Sequence, residues 1–320
     1  MRPLVKALFP VSLFFIFAVY VSCRHERQIV PYDVDSDEIF KPLQPNEEDL
    51  PEDNTFGQDS IPGFTLDYEI SSDYNDVYIY FSNLTLLEVN PSITQSLFNF
   101  AQQQLIEYGF TNDSVSFKPN EFDDLLAQGL SYRESTDKVL ENISSVFKDK
   151  LSDYTYLGPF NISFMIYPVY LDKNYITYRE SCYCYTGGAH GMTISYLHTY
   201  SLESGKLLTL NEIVKPSETE KVREEVAAQM AYSYPIYENI HTVQQYIDSL
   251  NVWLDNFATD VNPEDEITLK NFPLPDPAIT NEGLVFIYQM YELTPGSDGC
   301  PIVVVPYKDI KGCLFESFPR

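Results

Sequence analysis

Apolar and polar positions alternate with a period of two through Asp76–Phe81 (DVYIYF) and Phe160–Leu171 (FNISFMIYPVYL), and again on either side of Gly187–His190. That period predicts strands. Before the glycines, Ile176, Tyr178, Cys182 and Cys184 fall on one face; after them Ile194, Tyr196, His198 and Tyr200 share a face, with Thr193, Ser195, Leu197 and Thr199 on the other. Gly187 and Gly188 supply the backbone freedom of a tight reversal, so the stretch reads as a hairpin in a sheet buried on at least one side.

Four further stretches carry helical spacing. Asn90-Pro91 is a cap and first-turn pair, after which Ile93, Leu97, Ala101 and Leu105 recur every fourth residue and predict a helix over about 92–108. Val139, Ile143, Val146 and Phe147 mark a second, Pro216 opens a third with Val222, Val226 and Met230, and Val243, Ile247, Leu250, Leu254 and Phe257 mark a fourth. Strands and helices do not alternate strictly. The predicted class is therefore α+β, with antiparallel or mixed sheets on which helices pack.

The ends of the chain change the picture. Arg2 and Lys6 precede an uncharged run from Ala7 to Ser22 that Pro10 interrupts. It is shorter than the ~20 residues that a membrane-crossing helix needs, so residues 1–22 read as a secretion leader with small Ser22 at the cut and Cys23 as the lipid acceptor. Between Pro31 and Asp59 ten Asp and Glu residues face the single base Lys41, with Pro31, Pro42, Pro45 and Pro51 among them. Such a composition cannot bury a core, and residues 23–60 read as an acidic, disordered tether.

The net charge is −27, and loss of Arg2 and Lys6 with the leader makes it −29. That sign repels nucleic acid and attracts a strongly cationic protein. The triplets that begin at Asn83, Asn112, Asn142 and Asn161 have the N-x-S/T form of glycan acceptors, which would mean surface sugars in a eukaryotic secreted protein and arises by chance in a bacterial lipoprotein; the leader that ends at Cys23 favours chance.

Candidate chemistry is sparse. His190 lies beside flexible backbone, where an imidazole serves as base or ligand, or fixes the turn by hydrogen bonding to backbone. No nucleophile elbow, H-E-x-x-H pair or phosphate loop accompanies it, and nothing calls for a cofactor. With Cys23 lipidated, Cys182, Cys184, Cys300 and Cys313 remain, an even number that suggests disulfides in an oxidising compartment. Cys182 and Cys184 sit badly for each other, so the favoured link runs from one of them to Cys300. Buried free thiols are the alternative, and a zinc site from Cys182, Cys184, His190 and Cys300 lacks a recognised spacing.

Tyr185, Gly187–His190, Gly205-Lys206 and Asn211–Val214 together resemble the RsiV-like extracytoplasmic domain of bacteria. Residues 271–314 fit the ending of that family, with Gly283-Leu284, an aromatic strand, Tyr291-Glu292, a glycine turn and a strand that closes on Pro306-Tyr307. The part before the glycine turn is similar to the PdaC-like domain that often precedes it. The resemblance implies a PdaC-like α+β subdomain over 61–205 that includes the hairpin, and an RsiV-like one over 206–320. It also implies a noncatalytic, membrane-tethered binding protein that faces the periplasm or cell exterior, because the family includes a lysozyme-binding sensor. The chain departs from that sensor in lacking a cytoplasmic segment, and from the related deacetylases in lacking their metal motif. The rival expectations are an enzyme acting on cell-envelope glycan and a structural envelope lipoprotein with no ligand.

Overall fold

The alternating segments become one long sheet. β1 (Phe64–Ser72) pairs antiparallel with β2 (Asn75–Leu84), and β2 runs parallel to β3 (Phe160–Leu171). A parallel pair needs a long crossover. It is made by α1 (Pro91–Glu107), α2 (Glu121–Ala127) and α3 (Tyr132–Leu151). β4 (Tyr175–Tyr185) and β5 (Met192–Ser201) complete a five-stranded sheet in the order β1-β2-β3-β4-β5. This computed structural model describes residues 64–72, 75–84, 88–107, 118, 120–151, 160–185, 189–238, 240–257 and 266–318. The leader, Cys23, the acidic stretch, Gly187 and Gly188 lie outside the described residues.

After β5 come α4 (Leu210–Ile213), α5 (Thr219–Ser233) and α6 (Val243–Phe257). A three-stranded antiparallel sheet follows, formed by β6 (Ala278–Ile279), β7 (Gly283–Ile287) and β8 (Ile302–Pro306). The class is α+β. Each of the four helices read from spacing is present, with α5 entered through a 3-10 turn at Pro216–Glu218. The short helices α2 and α4 and the parallel β2–β3 pairing were not among the expectations.

The two sheets stack face to face, with helices on both outer sides. On one side of the large sheet Phe164, Ile166, Ile176, Tyr178, Cys182, Cys184 and Tyr200 pack against Ile93, Leu97 and Ala101 of α1, Phe122 of α2, and Val139 and Ile143 of α3. Its other side sets Tyr167, Val169 and Leu197 against Ala278, Val285, Ile287 and Val304 of the small sheet. The small sheet then turns Leu284, Phe286, Val303 and Val305 toward α5 and α6. Every residue of β7 is buried, which explains its unbroken apolar run GLVFI.

Polar contacts fix the stack. Thr177 and Thr199 lie opposite each other in the β4–β5 register and hydrogen-bond at 2.7 Å. The Thr177 hydroxyl also donates to the Ile279 carbonyl at 2.7 Å, while the Ile279 amide donates to Thr199 Oγ1 at 2.9 Å. These threonines are buried, so the arrangement satisfies polar groups that would otherwise be stranded between the sheets. At the far end of β5 the chain reverses through Gly205, at φ 69°. A Cβ there would stand 2.6 Å from Asn90 Oδ1. Asn90 accepts from the Ser92 amide at the start of α1 and donates to the carbonyls of Leu202 and Glu203, both at 3.2 Å, so it ties the helix to this turn.

The edge of β5 is met by the small-sheet half of the chain. Gln289 accepts from the Ser195 amide at 3.2 Å and donates to the Ser195 carbonyl at 2.9 Å. The Thr193 amide donates to Met290 Sδ at 3.1 Å, and the Cys300 thiol donates to the Thr193 carbonyl at 3.3 Å.

Candidate functional site

Two histidines mark the places where this scaffold brings polar chemistry together. His190 stands exposed at the end of the β4–β5 reversal. Its Nδ1 lies 3.1 Å from the Gly191 carbonyl and its Nε2 3.0 Å from the Tyr291 hydroxyl. Both ring nitrogens are thus engaged, one with backbone and one with a tyrosine brought from the loop after β7. Among the described residues no carboxylate hydrogen-bonds it. Gly191 lets the Tyr183 ring lie against the backbone here, because a Cβ would stand 2.4 Å from that ring and force it aside. Tyr291 is 41% exposed with φ at 65°, an uncommon conformation for a non-glycine residue. The His190–Tyr291 pair forms an exposed aromatic rim, and Met192, two residues after His190, is exposed as well.

His198 sits on the helix-facing side of β5, in register with Tyr178 and one step from the Glu180–Tyr196 pair. Its Nδ1 is 3.0 Å from Glu180 Oε1, and the Tyr200 hydroxyl donates to the same oxygen at 3.0 Å. Glu180 is 1% exposed while the His198 side chain is 25% exposed, so a buried carboxylate is reached from water through an imidazole. The His198 ring stacks on Tyr196 at 5.1 Å and 13°, and Phe100 of α1 meets Tyr196 edge-on at 5.9 Å. Burial opposes charge on the ring, but the field and hydrogen bond of Glu180, joined by Asp276, outweigh it and raise the pKa of His198. Burial first, and Glu180 second, push the Tyr200 hydroxyl well above the ordinary phenol range.

A carboxylate that orients an imidazole is half of an acid–base machine. Among the described residues no Ser, Thr or Cys side chain hydrogen-bonds His198, so the nucleophile of such a machine is missing from its contacts. The sequence reading placed His198 on the correct face and passed over Glu180, which shares its face with Tyr178 and Cys182. The available signal was an acid at an inward strand position beside a histidine at an inward position of the next strand.

The cysteines do not form the expected disulfide. All four of Cys182, Cys184, Cys300 and Cys313 are free thiols. Cys182 and Cys184 face the helices, whereas Cys300 packs on the opposite side of the sheet, so the expected link of either to Cys300 is not formed. Burial pushes the Cys182 thiol up, with Cys184 adding to the shift, and raises Cys184 to about 11; neither is the thiolate that metal binding or nucleophilic attack needs. Cys313 is buried among the C-terminal apolar side chains. Among the described residues no cluster of three or more His, Cys, Asp or Glu could hold a metal, and no helix is long and apolar enough to cross a membrane.

Stacked sheets flanked by helices, with an aromatic rim at one end of the large sheet, define the class as a layered α+β domain protein. Residues 210–308, which include Tyr291, match the family described as "Protein of unknown function (DUF3298)". Two solved structures are similar to the chain. One is a member of that family from Bacteroides fragilis, 15% identical over 79% of this chain and 92% of its own, with a TM-score of 0.47. The other is a family protein from Pseudomonas aeruginosa, 19% identical over 82% of this chain and 98% of its own, with a TM-score of 0.45. The comparison with curated proteins gave no match.

Proposed function

We propose that this chain is a noncatalytic binding protein of the bacterial cell envelope, tethered to a membrane by lipid on Cys23, whose folded part takes a cationic protein. The observation that carries the reading is the rim. Tyr291 is exposed there, Met192 is exposed two residues beyond His190, and the His190 ring joins the two loops through Nε2 to Tyr291 while Nδ1 engages the neighbouring Gly191 carbonyl, so it serves as a strut. Exposed aromatic and methionine side chains on a rigid base are the usual anchors of a protein interface. The segments that build the rim, 180–205 and 271–307, contain no Lys or Arg, and the chain as a whole is at −27. A basic partner is therefore favoured in both encounter and register.

The resemblance to RsiV-like domains makes a lysozyme-like muramidase the first partner to try. Titration calorimetry of residues 61–320 with lysozyme at ~50 and ~200 mM salt tests the proposal, because screening weakens contacts between exposed charges and leaves an apolar interface in place. Binding with a defined stoichiometry should survive at the higher salt, and Tyr291→Ala should weaken it roughly tenfold or more. Loss of all heat at the higher salt overturns the lysozyme assignment.

A further inference from the structure

A carboxylate as buried as that of Glu180 is costly unless it is hydrogen-bonded and its charge is balanced. Its hydrogen bonds come from His198 and Tyr200. The groups that face His198 are Glu180 and Tyr178 of β4, Tyr196 and Tyr200 of β5, and Asp276 of the segment before β6. Glu107 of α1, Glu292 and Cys300 act on Tyr196, against which the imidazole stacks. None of these groups is a Lys or Arg. A proton on His198, which the ring's exposed quarter exchanges with water, would set a positive charge 3.0 Å from the carboxylate.

The same imidazole is mechanically connected to a helix. His198 stacks on Tyr196 and Tyr196 meets Phe100, so the ring that titrates supports a contact of α1 on the β5 edge, beside the buried Leu97 and Ala101 that pack the helix on the sheet. The helix start is held separately, by Asn90 on the turn after β5. We propose that Glu180, His198 and Tyr200 form a proton-operated latch that holds α1 on the edge of the large sheet. It closes when His198 is cationic and loosens when it is neutral. The latch does not depend on what the rim binds.

The sign follows from the raised pKa of His198. The stabilisation is fully present below the ordinary imidazole value of ~6.5 and is lost as pH rises through the higher value in the folded chain. Hydrogen exchange of the α1 amides in the full chain at pH 6 and pH 8, corrected for the intrinsic rate, reads the latch directly. The opening equilibrium of α1 should rise by about tenfold for each unit between the folded and unfolded values of His198, while His198→Gln, which keeps a donor for Glu180 but cannot take a proton, should show no rise. An unchanged opening in the wild type, or an equal rise in His198→Gln, overturns the proposal. If the variant does not fold, the His198 ring resonance in the wild type decides. A titration midpoint above ~6.5 together with the rise in α1 exchange supports the latch, and a midpoint at or below it overturns the latch.

Discussion

His190 and His198 belong to one strand-turn-strand unit and have opposite settings. His190 sits where a short glycine-rich motif draws the eye, yet it is exposed and its partners are a carbonyl and a phenol. His198 sits in an ordinary alternating strand, yet it holds a buried carboxylate and supports a helix contact. The difference lies in the surroundings of each ring. Charge on an imidazole matters most where water is scarce and an acid is fixed beside it, and only the second site meets both conditions. The first holds its imidazole at the surface between a carbonyl and a phenol.

Three substitutions, one in each region and one at the sheet interface on the opposite face of β5, set the comparison in descending order of effect. Glu180→Ala should be the most damaging, because it removes the acceptor of both His198 and Tyr200 beneath α1; denaturant melts at pH 6 should show a loss of about 3 kcal/mol. Equal stability of variant and wild type would show that the buried cluster is not a support. Thr199→Val keeps the shape but takes away the hydroxyl that accepts from Ile279, and the stranded amide between the sheets should cost about 2 kcal/mol in the same melts. His190→Ala should come last, within about 0.5 kcal/mol of wild type, since an exposed strut gives back little when water replaces its bonds. A large loss there would invert the comparison and make the rim part of the core.

Much of the architecture was legible in the sequence, because period and caps act locally. Ile176, Tyr178, Cys182 and Cys184 were assigned to one face and are buried on one face, and the Asn90-Pro91 signal begins α1. What was not legible depends on distant partners. The parallel register of β2 with β3 joins segments separated by three helices, and a period of two does not name a neighbour. β6 is two residues long and is fixed through Thr177 and Thr199, which lie far away in the chain. At the site, the motif led to His190, whereas the Glu180–His198 pairing required a register that only the folded sheet supplies. The cysteine reading failed for a related reason, since parity counts thiols but does not say which side of a sheet they face.

The side chain of Gln289 offers Ser195 one donor and one acceptor, the same pair that a neighbouring peptide group would offer. It therefore behaves as a strand one residue long. An edge strand that presents free amides and carbonyls is a template on which further chains can polymerise, and Met290 and Cys300 extend the cover to Thr193. The cap thus ends the large sheet along this part of β5 with side chains in place of a sixth strand, and so withholds from a further chain the backbone groups of Thr193 and Ser195 that it would pair with.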